Sequence, residues 1–222
     1  MQFILNSNKV TNSKLRKMKK IYQSILVIAS LALVACGTLG GGDTDVSNNA
    51  DFKSYKGICA KYMQARIHAA NCVGNNDEAN KMQAQLDQLK KAKNLSDTKA
   101  VLDASKMPEM DKAVKLASES AKKEFVESLG YLIGGVAQEK ILLDKVLQSI
   151  KTLQQEAASN PFGSAASQLS FLTSLSDAMG TDLKNVAVTI DAYTVYATEN
   201  GISMDDVNAV ADKVAKQSDL ED

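Results

Sequence analysis

His68 is the only histidine in the chain, so any Ser-His-Asp or Cys-His site would have to be built on it. It stands mid-helix by pattern, among Ile67, Ala69 and Ala70, and is read as a partly exposed helix residue rather than a catalytic base. A single histidine also excludes metal sites that need two, including the His-Glu-x-x-His zinc helix. Carboxylates are numerous, but no pair stands out as a general acid and base. Asp205-Asp206 follow Ser203 and read as helix-start chemistry instead. Gly134-Gly135 lack the Lys-Ser/Thr continuation of a phosphate loop and follow no strand. The chain therefore shows no catalytic residues, no metal ligands and no cofactor site, and it is expected not to be an enzyme.

Cysteine chemistry is the more informative. Of three cysteines, Cys36 closes the run Met18–Cys36, MKKIYQSILVIASLALVAC. Lys19 and Lys20 make a short positive region, and Ile21 to Val34 an apolar one of signal-peptide length. The apolar run is shorter than the ~20 residues of a spanning helix and has no positive cluster after it. Leu33-Val34-Ala35-Cys36 resembles the bacterial lipobox. That resemblance covers residues 18–36 alone. It implies cleavage between Ala35 and Cys36 by a type II signal peptidase and acylation of the Cys36 thiol with chains such as palmitate, the covalent lipid being the only prosthetic group. It also implies an envelope lipoprotein held to the membrane by its lipid. Gly37, rather than Asp, follows the cysteine, which by the same resemblance favours the periplasmic face of the outer membrane of a Gram-negative bacterium. The signal is complete from Met18, so translation is expected to start there.

Cys59 and Cys72 remain as an even pair, and an oxidising compartment favours a disulfide between them. Thirteen residues of continuous helix would hold them roughly 19.5 Å apart, against the ~4.4–6.8 Å a bridge needs. The expected disulfide thus requires a break in the helix between them.

Setting aside residues 1–35 leaves 187 of the 222 residues, enough for one domain with a substantial core. The segment set aside carries six basic residues and no acid, so the remainder has 20 basic against 26 acidic groups, a net charge of −6. An acidic balance without basic runs provides no drive towards nucleic acid. Nor does it favour anionic lipid, so the membrane contact is the lipid anchor.

Residues 36–50 read as a flexible tether, its Gly-rich and Ser/Asn/Asp stretch giving a reach of roughly 20 Å. Residues 51–222 read as a single all-α domain: tryptophan is absent, prolines are two, and no stretch alternates with period two. Helices are expected over about 51–71, 78–93 and a short third capped by Ser96 or Asp97. A long stretch opens at Pro108 and runs to Ser159. Asn160-Pro161 then turns the chain into a helix ended by Gly180, and another starts at Thr181 or Asp182. Asn200-Gly201 stops that one, and a last helix starts at Ser203.

The long stretch is the centre of this irregular bundle. Its buried stripe reads Phe125, Leu129, Leu132, Val136, Leu143 and Leu147, and Leu129–Ala137 is apolar on all sides. Gly130, Gly134 and Gly135 fall there, each costing about 1 kcal/mol in a helix interior. They imply a kink, a close helix crossing, or a hinge. Gly134→Leu is expected to overpack the core, and Gly134→Ala to be milder, since it adds one methyl while removing a helix penalty.

The function these readings favour is a non-enzymatic, lipid-anchored module that binds or scaffolds another envelope protein. A carboxylate-dependent envelope hydrolase is the alternative, and a buried pair of acids in a cleft would point to it. A membrane-perturbing hairpin at Leu129–Ala137 is the third, with too few apolar residues to span.

Overall fold

The computed structural model describes residues 44–104, 106–108, 110, 116, 118–159 and 165–217. Six helices account for most of them: α1 (Ala50–Cys72), α2 (Asn76–Lys91), α3 (Leu95–Asp103), α4 (Glu119–Ser159), α5 (Ala165–Glu199) and α6 (Met204–Lys216). The protein is an all-α bundle, and α4 is its centre, packed against α1, α5 and α6. α2 packs on α1 away from α4, and the short α3 touches α1, α2 and α5.

Local chemistry starts and stops the helices. The Asn49 side chain accepts from Phe52 N, Asn75 from Glu78 N and Ser203 from Asp206 N, each satisfying an orphan donor of a first turn. The cap of α3 is Asn94, two residues before Ser96 and three before Asp97. Its side chain accepts from Asp97 N, while the Asp97 carboxylate accepts from Lys93 N. Gly74 and Gly201 take φ of 73° and 66°, the left-handed conformation that closes α1 and α5. Ile202 N then donates back to Ala197 O at 2.9 Å.

Three expectations change. α4 begins at Glu119, not at Pro108; Ser118 Oγ accepts from Ala121 N, and Pro108 instead offers its carbonyl to the Tyr193 hydroxyl at 2.6 Å. Gly180 does not end a helix. Leu172, Leu175, Met179, Leu183, Ile190, Tyr193 and Ala197 form one buried stripe across it, and their burial outweighs a propensity cost of about 1 kcal/mol. The tether is fixed earlier than residue 50, because Val46 N donates to Lys93 O at 2.8 Å. The Asn160-Pro161 turn lies outside the described residues.

Cys59 and Cys72 are not bridged. Both are free, buried thiols on α1, which runs through them without the break a disulfide would require.

Candidate functional site

Side chains spaced four, three and four residues apart share one face of a helix. On α1 that spacing aligns Tyr55, Cys59, Tyr62 and Arg66, and the face points into the middle of the bundle. Opposite it, α4 continues its buried stripe through Leu129, Leu132, Val136, Glu139, Leu143 and Val146. Glu139 therefore occupies a position whose neighbours one turn away are all aliphatic, and it is 0% exposed. Asp182 comes from α5 between the core residues Met179 and Leu183.

The Tyr62 hydroxyl donates to Glu139 Oε2, and the Tyr55 hydroxyl donates to Asp182 Oδ2 at 2.7 Å. Glu139 Oε1 has no hydrogen-bond partner among the described residues. The Cys59 thiol lies within electrostatic reach of both acids. One helix thus presents two phenols, each to a carboxyl group of a different helix. The backbones of α1 and α5 scarcely approach one another, so Tyr55 spans the gap with its full length.

Burial sets the proton affinities here. Loss of water pushes the Glu139 carboxyl well above the ordinary range, and the charge of Asp182 pushes it further; the Tyr62 bond acts in the opposite direction. Burial also raises Asp182, to about 6, against the Tyr55 bond and the Arg66 guanidinium, which favour its charged form. Tyr55, Tyr62 and Cys59 are each pushed up, chiefly by burial. A thiol so placed stays protonated and is a poor nucleophile. Cys72, raised to about 11 by burial and by Glu124, is in the same condition.

Arg66 completes the stripe by donating from Nη1 to Leu102 O at 2.8 Å, at the C-terminal end of α3, where the helix dipole favours a cation. α3 in turn brings Asp103 and Lys99 near Asp182. Asp103 also lines a shallow, open depression of about 370 Å³ between Asn75, Glu78, Met82 and Met107. Neither Glu139 nor Asp182 reaches that depression.

The three glycines are buried in α4 and explain how α1 and α6 approach it so closely. A Cβ on Gly130 would stand 2.6 Å from Val210 Cβ, and one on Gly134 would stand 2.8 Å from the backbone oxygen of Ala211. On Gly135 it would meet the Tyr62 ring at 2.7 Å. α4 is uninterrupted across all three, so they serve a close crossing. Beyond them Gln138 Nε2 donates to Ala215 O at 3.0 Å and Gln217 O at 2.9 Å, while Lys61 Nζ donates to Gln138 Oε1 and to Gln217 O.

His68 Nδ1 lies 2.7 Å from Glu124 Oε2, and its ring packs on Tyr131. No hydroxyl or thiol is bonded to it among the described residues. Asp205 and Asp206 occupy the first turn of α6. Among the described residues no group of three or more His, Cys, Asp or Glu could hold a metal ion. Ala35 and Cys36 lie outside the described residues.

Sequence reading missed the polar centre, although its signal is present. The stripe Val136 to Leu143 skips a position that three- and four-residue spacing fills with Glu139. Asp182 reads as a helix start only because Gly180 before it reads as a stop. No known protein family, curated protein or solved structure matches this chain.

Proposed function

We propose that the chain is a lipid-anchored helical module of a bacterial envelope, facing the periplasm, that binds or scaffolds another envelope protein without catalysis. The observation that carries this reading is the run from Lys19 to Cys36, closing on Leu33-Val34-Ala35-Cys36. The disposition of the buried acids supports it. Glu139 and Asp182 are the pair a carboxylate-dependent hydrolase would need, but Glu139 is sealed from solvent and both serve as ties between helices. Leu129–Ala137 lies within uninterrupted α4 against α1 and α6, which gives a membrane-inserting hairpin no support. Among the described residues no helix is long and apolar enough to cross a membrane.

The test is labelling of growing cells with an alkyne fatty acid, followed by membrane fractionation. The wild-type chain should take the label and sediment with membranes, and Cys36→Ser should lose the label and leave an uncleaved or released product. A Cys36→Ser chain that is cleaved after Ala35 and remains an integral membrane protein overturns the anchor. Cross-linking in intact cells should then capture a defined envelope protein. Hydrolysis of an envelope polymer by the purified chain, lost in Glu139→Gln, would replace the binding role with the enzymatic one.

A further inference from the structure

A carboxyl group with one oxygen bonded and the other bare fits the interior as a neutral acid. Ionised, Glu139 would place half its charge on Oε1, which has no donor facing it among the described residues. Protonated, the group keeps its contact with Tyr62 and leaves an uncharged oxygen in the apolar surroundings. Asp182 is differently served. Its Oδ2 has the Tyr55 hydroxyl, and Arg66 and Lys99 from α1 and α3 favour its charge, with Asp103 opposing. The acids sense each other across the core, so ionising one makes ionising the second harder. Both acids are joined to the same face of α1.

We propose that Glu139 and Asp182, tied through Tyr62 and Tyr55 to α1, form a proton-operated latch that closes α1 on α4 and α5 and loosens as the pair gives up its protons. Each step breaks one O–H bond and releases one proton to solvent; nothing else is exchanged. With both carboxyls neutral the three helices meet without buried charge. With Asp182 ionised its charge is favoured by the field of Arg66 and the latch still holds. Loss of the Glu139 proton leaves two like charges inside the bundle, and the strain is relieved by letting water in along the α1 seam.

The sign follows from the raised affinities. A carboxyl that holds its proton more tightly when folded contributes stability fully below its unfolded value, and loses it as pH rises through its folded value. For Asp182 that window runs from 3.8 to about 6. For Glu139 it opens at 4.5 and closes well above that value. Between those limits each acid weakens folding by about tenfold per pH unit. The latch itself depends only on the bundle; a role in sensing the pH of the periplasm rests on the location proposed above.

The experiment is urea unfolding of the full chain in mild detergent at pH 5 to 8, with His68→Gln as background to remove the only histidine. The folding equilibrium should weaken by about tenfold or more over this range. Above about pH 7 Asp182, raised to about 6, is almost fully ionised, so the remaining slope belongs to Glu139 and should vanish in Glu139→Gln. Should that variant fail to fold, infrared spectra of the parent chain decide the matter. A protonated carboxyl C=O band should be present at pH 7 and disappear at higher pH together with faster amide exchange along α1. Stability that is flat or rising from pH 5 to 8, a slope above about pH 7 that survives in Glu139→Gln, or the absence of the carboxyl band at pH 7 would each overturn the latch.

Discussion

The ring of Tyr62 occupies the space a Cβ on Gly135 would fill, with Tyr62 Cε1 2.7 Å from that point. One turn further along α4, the hydroxyl of the same ring donates to Glu139. The bare backbone at Gly135 therefore does more than admit a neighbour. It sets the depth at which Tyr62 lies, and so whether its hydroxyl reaches the buried acid.

Gly135→Ala should consequently destabilise the bundle by about 1–3 kcal/mol, as overpacking does, despite the gain in helix propensity. Tyr62 is 2% exposed and has no room to retreat. Gly134→Ala should cost a similar amount, since its methyl would meet the Ala211 carbonyl oxygen, which belongs to a backbone. Thermal melts of both variants check this, and a melting temperature at or above wild type in either would show that the crossing is not tight. Propensity alone points the other way for Gly134→Ala, because it sees the helix and not the partner 2.8 Å away.

That contrast marks how far the sequence can be read. Ala50–Cys72, Asn76–Lys91 and Met204–Lys216 fall close to the expected spans because their signals are local: a capping side chain, a left-handed glycine, a stripe of apolar residues. The sequence also marks where α4 is crossed, through three glycines in an apolar run. It does not say which helix crosses there, since Val210, Ala211 and Val214 of α6 are ordinary residues at ordinary spacing. Gly180 misleads for the same reason, its burial between Met179 and Leu183 being tertiary. Glu139 was legible by spacing, but its role depends on a tyrosine 77 positions away.

Gln138 holds the end of α6 by donating to the carbonyls of Ala215 and Gln217, and Lys61 donates to the same Gln217 carbonyl. Gln138→Ala removes the side-chain donor to the Ala215 carbonyl and leaves the Gln217 carbonyl to Lys61. The expected loss is about 1–2 kcal/mol, confined to α6. Hydrogen exchange should quicken over residues 211–217 while α1 and the first half of α4 stay protected. Quickening that spreads evenly through the bundle would mean that α6 does not open as a separate unit.

Cys59 and Cys72 should react as two thiols. In unreduced, denatured protein purified from an oxidising compartment, mass spectrometry should find both alkylated. In the folded chain Cys59 should resist alkylation, being wholly buried with its thiol held protonated. A mass two hydrogens lighter and unlabelled would mean that α1 breaks between them after all.

Asp182 and Tyr62 act on Glu139 in opposite senses, so their substitutions should separate. Asp182→Asn keeps an acceptor for the Tyr55 hydroxyl but removes the like charge that raises the Glu139 carboxyl. The carboxyl should then lose its proton at lower pH than in the parent chain. Tyr62→Phe keeps the ring against Gly135 but deletes the hydroxyl that favours the charged form. The proton should then stay on to higher pH, and the lost hydrogen bond should cost about 1 kcal/mol. The midpoint of the infrared carboxyl band, followed against pH in each variant, reads both shifts directly. General loosening of the core would let water reach Glu139 in both variants and lower both midpoints. Only groups acting on the acid as the geometry has them should move the midpoints apart.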